Sequence, residues 1–199
     1  MNSYLPCRRF VVRAVGAAAM LMMLGTGNAQ QHAHTHGRVE LDVAIDTQAI
    51  TLQIESPLDN FLGFERAPRT DAERKRVADM VARLNAADRL FQPDPGAECK
   101  LAKVDIESTV LDLGGAKKEE DHHHAHDGHD KKDDGGHEHA DIDVTVVFAC
   151  AKAAAARFID VKLFDAFKGI RTIDAQVAAP QGQFKHSLKP GSSRIQWGR

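Results

Sequence analysis

No stretch of this 199-residue chain holds eighteen consecutive apolar residues, so no segment is long enough to cross a bilayer as a helix. There is no surplus of positive charge: 26 Lys and Arg stand against 28 Asp and Glu. Nucleic-acid binding, which needs a basic face, is therefore not expected. The chain contains no HExxH, no GxSxG and no ligand set anchored in an expected core element. No catalytic residue is assigned, and the chain does not read as an enzyme. Beyond residue 29 the only methionine is Met80, which argues against a Met-rich Cu(I) site. Cysteine is scarce, with Cys7, Cys99 and Cys150 at no CxxC spacing, and no internal repeat is visible.

What the chain has in quantity is histidine, eleven in all. Seven lie between Asp121 and Ala140, in the run DHHHAHDGHDKKDDGGHEHA. That run has no Leu, Ile, Val or aromatic residue and cannot bury enough apolar surface to offset its ordering entropy. Residues 114–140 are therefore expected to form a disordered His/Asp-rich insert. Imidazole is a preferred ligand for Zn(II), Cu(II) and Ni(II), and carboxylates add oxygens, so the tract reads as a metal-collecting segment.

The N-terminus bears on the compartment. Arg8, Arg9 and Arg13 precede the apolar run Ala14 to Leu24, and small residues follow up to Ala29. This reads as a secretory signal over residues 1–29, cleaved after Ala29, which places the mature chain in the periplasm without a membrane anchor. Arg8-Arg9 leaves the twin-arginine route open beside the general one. Losing three Arg and no acid leaves 23 Lys and Arg against 28 Asp and Glu. Residues 117–141 alone carry nine acids and four Lys, so the negative charge concentrates in the insert and attracts divalent cations, with screening over about 8 Å. In an exported protein Cys99 and Cys150 are expected to form a disulfide; a thiolate metal site is the competing reading.

The remaining residues, 30–199, are expected to form a single metal-binding domain of α+β class, a largely antiparallel sheet with one main amphipathic helix. Val39, Leu41, Val43 and Ile45 alternate with polar residues, as do Ile50, Leu52 and Ile54, which predicts a hairpin. Thr70-Asp71-Ala72-Glu73 is a capping box, and Val77, Met80, Val81 and Leu84 predict a helix over about 71–90. A strand from Cys99 to Ile106 slips in parity between Leu101 and Val104, which indicates a bulge. Further strands are expected at Ile142–Cys150, Ile159–Leu163, Ile173–Val177, Phe184–Leu188 and around Ile195. Phe164 to Gly169 reads as a short turn.

Three histidine clusters carry the candidate chemistry. His32, His34 and His36 share one face if extended, continuing through Glu40 and Asp42. His122, His123, His124, His126 and His129 lie in the insert. His137, His139 and Asp141 run into the next strand, again opposite its apolar face. Two strands thus begin with an HxH ladder, and nitrogens from both would suit a tetrahedral site if the strands are neighbours. Zn(II) is the expected ion, with Ni(II) or Cu(II) as the alternative. Cleavage after Ala29 also puts His32 third in the mature chain, where amine, amides and imidazole suit square-planar Cu(II) or Ni(II). With neutral imidazole as ligand, zinc is expected to leave as pH falls through about 6. His186 lies outside all clusters and reads as a satisfied structural histidine.

Several short motifs in order resemble the ZrgA-type periplasmic zinc-binding family. They are His32 to Gly37, Ser56 to Glu65, Cys99 after Leu90-Phe91, Val104 to Ser108, the His-rich insert, His139 to Cys150, and Pro180 to Gln183. The resemblance implies a zinc-binding protein that supports uptake beside an ABC importer or its solute-binding protein. Glu65 and Glu107 match family positions. Arg66 departs from the family, which often has histidine there.

Overall fold

The computed structural model describes residues 35–113 and 140–198. The hydrophobic alternation of the sequence becomes a six-stranded sheet. Its strands are β1 (Arg38–Ile45), β2 (Ala49–Pro57), β4 (Cys99–Ser108), β5 (Asp141–Cys150), β7 (Thr172–Ala179) and β8 (Gly182–Leu188), in the order β4-β5-β2-β1-β7-β8. A smaller sheet follows the order β3-β6-β9, from β3 (Phe91–Pro93), β6 (Phe158–Val161) and β9 (Arg194–Gln196). Every pairing is antiparallel except β1 with β7, which run parallel from Arg38↔Thr172 to Ala44↔Ala178. The expected bulge is present, between Leu101 and Lys103.

One face of the large sheet is the core. Val39, Leu41, Val43, Ile50, Leu52, Ile54, Ile142, Val144, Val146, Ile173, Ala175 and Val177 are all buried. Met80 and Leu84, from helix α2 (Asp71–Asn85), are buried in the same core. The capping box holds as the spacing predicted: Thr70 accepts from the Glu73 N–H, and the Glu73 side chain reaches back to the Thr70 N–H at 3.2 Å. The predicted helix of 71–90 is two helices, because α2 stops at Asn85, Ala86 leaves helical geometry, and α3 (Ala87–Leu90) begins afresh. Buried Leu84, Ala87 and Leu90 hold both pieces to the core. Leu163, expected to end a strand, instead opens α4 (Leu163–Ala166).

The other face of the large sheet is polar. Register places Glu107, Asp143, Glu55, Glu40 and Asp174 side by side across β4, β5, β2, β1 and β7. Neighbouring strands lie about 4.8 Å apart, so this is a closely spaced row of carboxylates. Arg38 Nη2 lies 2.7 Å from Asp174 Oδ2 at one end of the row.

Candidate metal centre

β1 and β5 are each antiparallel to β2, so they run parallel to each other and begin at the same end of the sheet. Pro57 of β2 faces Asp141 directly, and Arg38 stands on its other side, so the two starts are about 10 Å apart. The starts of β1 and β5 therefore come to one end, separated by one strand. His36 does not continue β1 as an extended ladder, because the chain turns before β1. Arg38 N–H donates to Thr35 C=O at 2.9 Å, and Gly37 has φ 84°. Positive φ at the third residue of a turn is the type II requirement that glycine meets without strain. His36 thus occupies the second position of a turn, not a strand.

This turn is held by one buried amide. Asn60 is 2% exposed and sits in α1 (Asp59–Leu62). Its Oδ1 accepts from Gly37 N–H at 2.5 Å, and its Nδ2 donates to Arg38 C=O at 2.7 Å and to Ser56 Oγ at 2.9 Å. Gly37 C=O in turn accepts from Arg171 N–H and Thr172 N–H. Leu58 N–H, just before α1, donates to Ala140 C=O at 2.8 Å. Ala140 is therefore already part of the fold, one residue inside the boundary expected for the insert.

The clamp sets His36 between two acids. Its Nδ1 lies 3.2 Å from Asp59 Oδ2 and its Nε2 lies 3.1 Å from Glu65 Oε1. The imidazole is 58% exposed, whereas Glu65 is 17% exposed and its Oε1 is buried. Asp59 opens α1, and Glu65 follows the left-handed Gly63 that ends it. Arg66 turns away from this corner. Its guanidinium pairs with both Glu73 oxygens, at 2.7 and 3.1 Å, and lies over the Phe64 ring. That pairing, with the Arg69 N–H, lowers the Glu73 pKa to about 2.

Of the expected ligands, His36 and Asp141 are described. Asp141 is half-buried at the start of β5, on the same polar face as Asp143. His32, His34, His122, His123, His124, His126, His129, His137 and His139 lie outside the described residues. Among the described residues, no three His, Cys, Asp or Glu side chains stand ready around one point as a metal site. Cys99 and Cys150 are joined as a disulfide between paired positions of β4 and β5, so they are not a thiolate site. His186 lies across from Ala175 on the core side of β8, and its Nε2 is buried without a hydrogen-bond partner among the described residues, contrary to the satisfied role expected of it. Sequence reasoning did not select Asp59 or Asn60. Asn60, four residues after Ser56, and its neighbour Asp59 become meaningful only once the chain folds back onto Gly37.

No helix among the described residues is long and apolar enough to cross a membrane. Among curated proteins, no relative matches the chain. A family model described as ZrgA family zinc uptake protein matches residues 33–197. That span takes in the His36 turn, α1 with Asp59 and Asn60, Glu65, the disulfide and the whole sheet, and on it the chain belongs to the ZrgA family, with a role in zinc uptake.

Proposed function

We propose that this protein collects and buffers Zn(II) in the periplasm and hands it to an ABC importer or its solute-binding protein, without catalysis. The reading assigns the His36 imidazole, flanked by the carboxylates of Asp59 and Glu65, to one zinc position. It assigns His122, His123, His124, His126, His129, His137 and His139 to weaker capture, with His32, His34 and Asp141 as further donors. Imidazole nitrogen and carboxylate oxygen are an appropriate donor set for zinc. The observation that carries the reading is the His36 imidazole between two acids, at the sheet end where β4 and β5 flank the His-rich segment. The carboxylate row on the adjoining face adds a negative potential that favours divalent cations there.

The test is zinc titration by calorimetry on the exported protein, with zinc, nickel and copper in competition. His36→Ala should remove the tightest zinc step. Deletion of 116–136 should lower the number of ions bound and leave the thermal midpoint of the metal-free protein nearly unchanged. Retention of every zinc step in His36→Ala would refute the His36 position. Preference for copper or nickel at the tightest step would replace zinc as the cargo of that position.

A further inference from the structure

The geometry points to unequal roles for the two carboxylates beside His36: Asp59 is a positioning residue that accepts from Nδ1–H, while Nε2 and Glu65 face the zinc ion. This rests on the reading of His36 as a zinc ligand and goes beyond it by naming the ligating nitrogen. The lone pairs of an imidazole diverge, so a single ion engages one ring nitrogen and the other N–H is left to an acceptor. Both arrangements are open in principle, because each nitrogen has a carboxylate oxygen within 3.2 Å.

Rigidity separates the two acids. Asp59 adjoins Asn60, and Asn60 is bonded to Gly37 N–H and Arg38 C=O, the backbone immediately after His36. Positions 59 and 36 are thus each one residue from a hydrogen-bonded pair, and their spacing is fixed by the clamp. Close packing reinforces it: a Cβ on Gly169 would drive into the Asn60 carbonyl. A fixed acceptor is what setting a tautomer requires. Glu65 instead stands in irregular chain two residues beyond Gly63, outside α1 and its Asn60 clamp. Its longer side chain can shift the short distance needed to take a metal at about 2.0–2.2 Å. Burial points the same way. Glu65 Oε1 is buried, whereas Asp59 is 33% exposed. A carboxylate oxygen with less water competes better for a cation.

Long-range proton–nitrogen NMR on the zinc-loaded, histidine-labelled mature chain reads the two ring nitrogens directly, with His36→Gln assigning the resonance. Protonated Nδ1 and zinc-bound Nε2 are expected. Asp59→Ala should weaken zinc binding at His36 about 10–100-fold, as loss of such an orienting partner does, and should mix the tautomers in the signal. Asp59→Asn keeps an oxygen acceptor and should restore the tautomer and most of the affinity. Glu65→Gln should weaken zinc binding more than Asp59→Ala. Thermal midpoints unchanged from the parent separate these effects from misfolding. Zinc on Nδ1, or a greater loss from Asp59→Ala than from Glu65→Gln, overturns the assignment. A His36 ring that ignores zinc while other histidines respond defeats the parent reading instead, and is distinguishable because no ring nitrogen of His36 then shifts.

Discussion

At one end of the six-stranded sheet β4 and β5 are joined covalently through Cys99 and Cys150, and the Cys150 N–H donates to Gln48 C=O in the β1–β2 turn. At the other end the same strands are followed and preceded by the His-rich segment, and closure relies on Asn60, Gly37 and the Leu58–Ala140 hydrogen bond. The first end is fixed by a bond that no ligand perturbs. The second is fixed by neutral hydrogen bonds that hold backbone but leave the His36, Asp59 and Glu65 side chains around the turn. A sheet stapled at one end can carry the proposed metal-binding corner at the other without relying on the metal to fold.

The largest effect should come from opening the staple. Cys99→Ser with Cys150→Ser frees a loop with a sequence separation of 51, worth about 4 kcal/mol in the chain-entropy account. The denaturant midpoint should fall accordingly, while zinc affinity at His36 stays within twofold. A parallel loss of zinc affinity would show that the two ends are coupled and would break the comparison.

Asn60→Ala should have the next largest effect, and at the opposite end. It leaves the buried Gly37 N–H without its acceptor and removes the donor to Arg38 C=O and Ser56 Oγ. Leaving such groups unmet costs about 1–3 kcal/mol. Unlike the cysteine variant, this one should also weaken zinc binding, because the His36 turn loses its anchor. Unfolding curves and zinc titrations on the same samples check both halves.

Local patterning explains which parts were legible in the sequence. The β1–β2 hairpin, the α2 capping box, the bulge after Leu101 and the alternation of β5 and β7 each depend on residues within a few positions of one another. The parallel β1–β7 pairing joins residues more than 130 positions apart, and nothing local encodes it. β3 has three residues, too few to show a period. The same limit hid the surroundings of His36. His36 was recognisable by type, but Asp59 and Glu65 reach it only through α1, whose four residues carry no helical stripe, and through an asparagine whose partners are backbone atoms.

Acid stability sharpens the contrast on the helical side of the His36 turn. Glu73 has its pKa lowered to about 2, first by the Arg66 hydrogen bond and then by the Arg69 N–H. A carboxyl whose folded pKa lies below its ordinary 4.5 contributes stability above that value and loses it as pH falls towards 2. Arg66→Met should remove part of that stability at neutral pH, by less than Asn60→Ala does, and so flatten the decline between pH 4.5 and 2. An unchanged acid limb in equilibrium unfolding would show that the pair contributes nothing to it.

The smallest effect tests the carboxylate row on the polar face of the sheet. Glu107 is exposed on β4 and pairs with Asp143, which itself faces Glu55. Like charges directly opposite on adjacent strands destabilise, and opposite charges contribute roughly 0.2–1 kcal/mol. Glu107→Lys places an ammonium opposite Asp143 and should raise stability by about 0.5 kcal/mol at low salt. The gain should shrink as ionic strength rises, since exposed charges are screened over about 8 Å at physiological salt. The same replacement weakens the negative potential on the approach to His36, so zinc association should slow slightly at low salt while dissociation is unchanged. A stability gain without any change in association would confine the row to the sheet's own energetics. A slower association that persists at high salt would instead mean that Glu107→Lys alters the metal corner through structure rather than through its field.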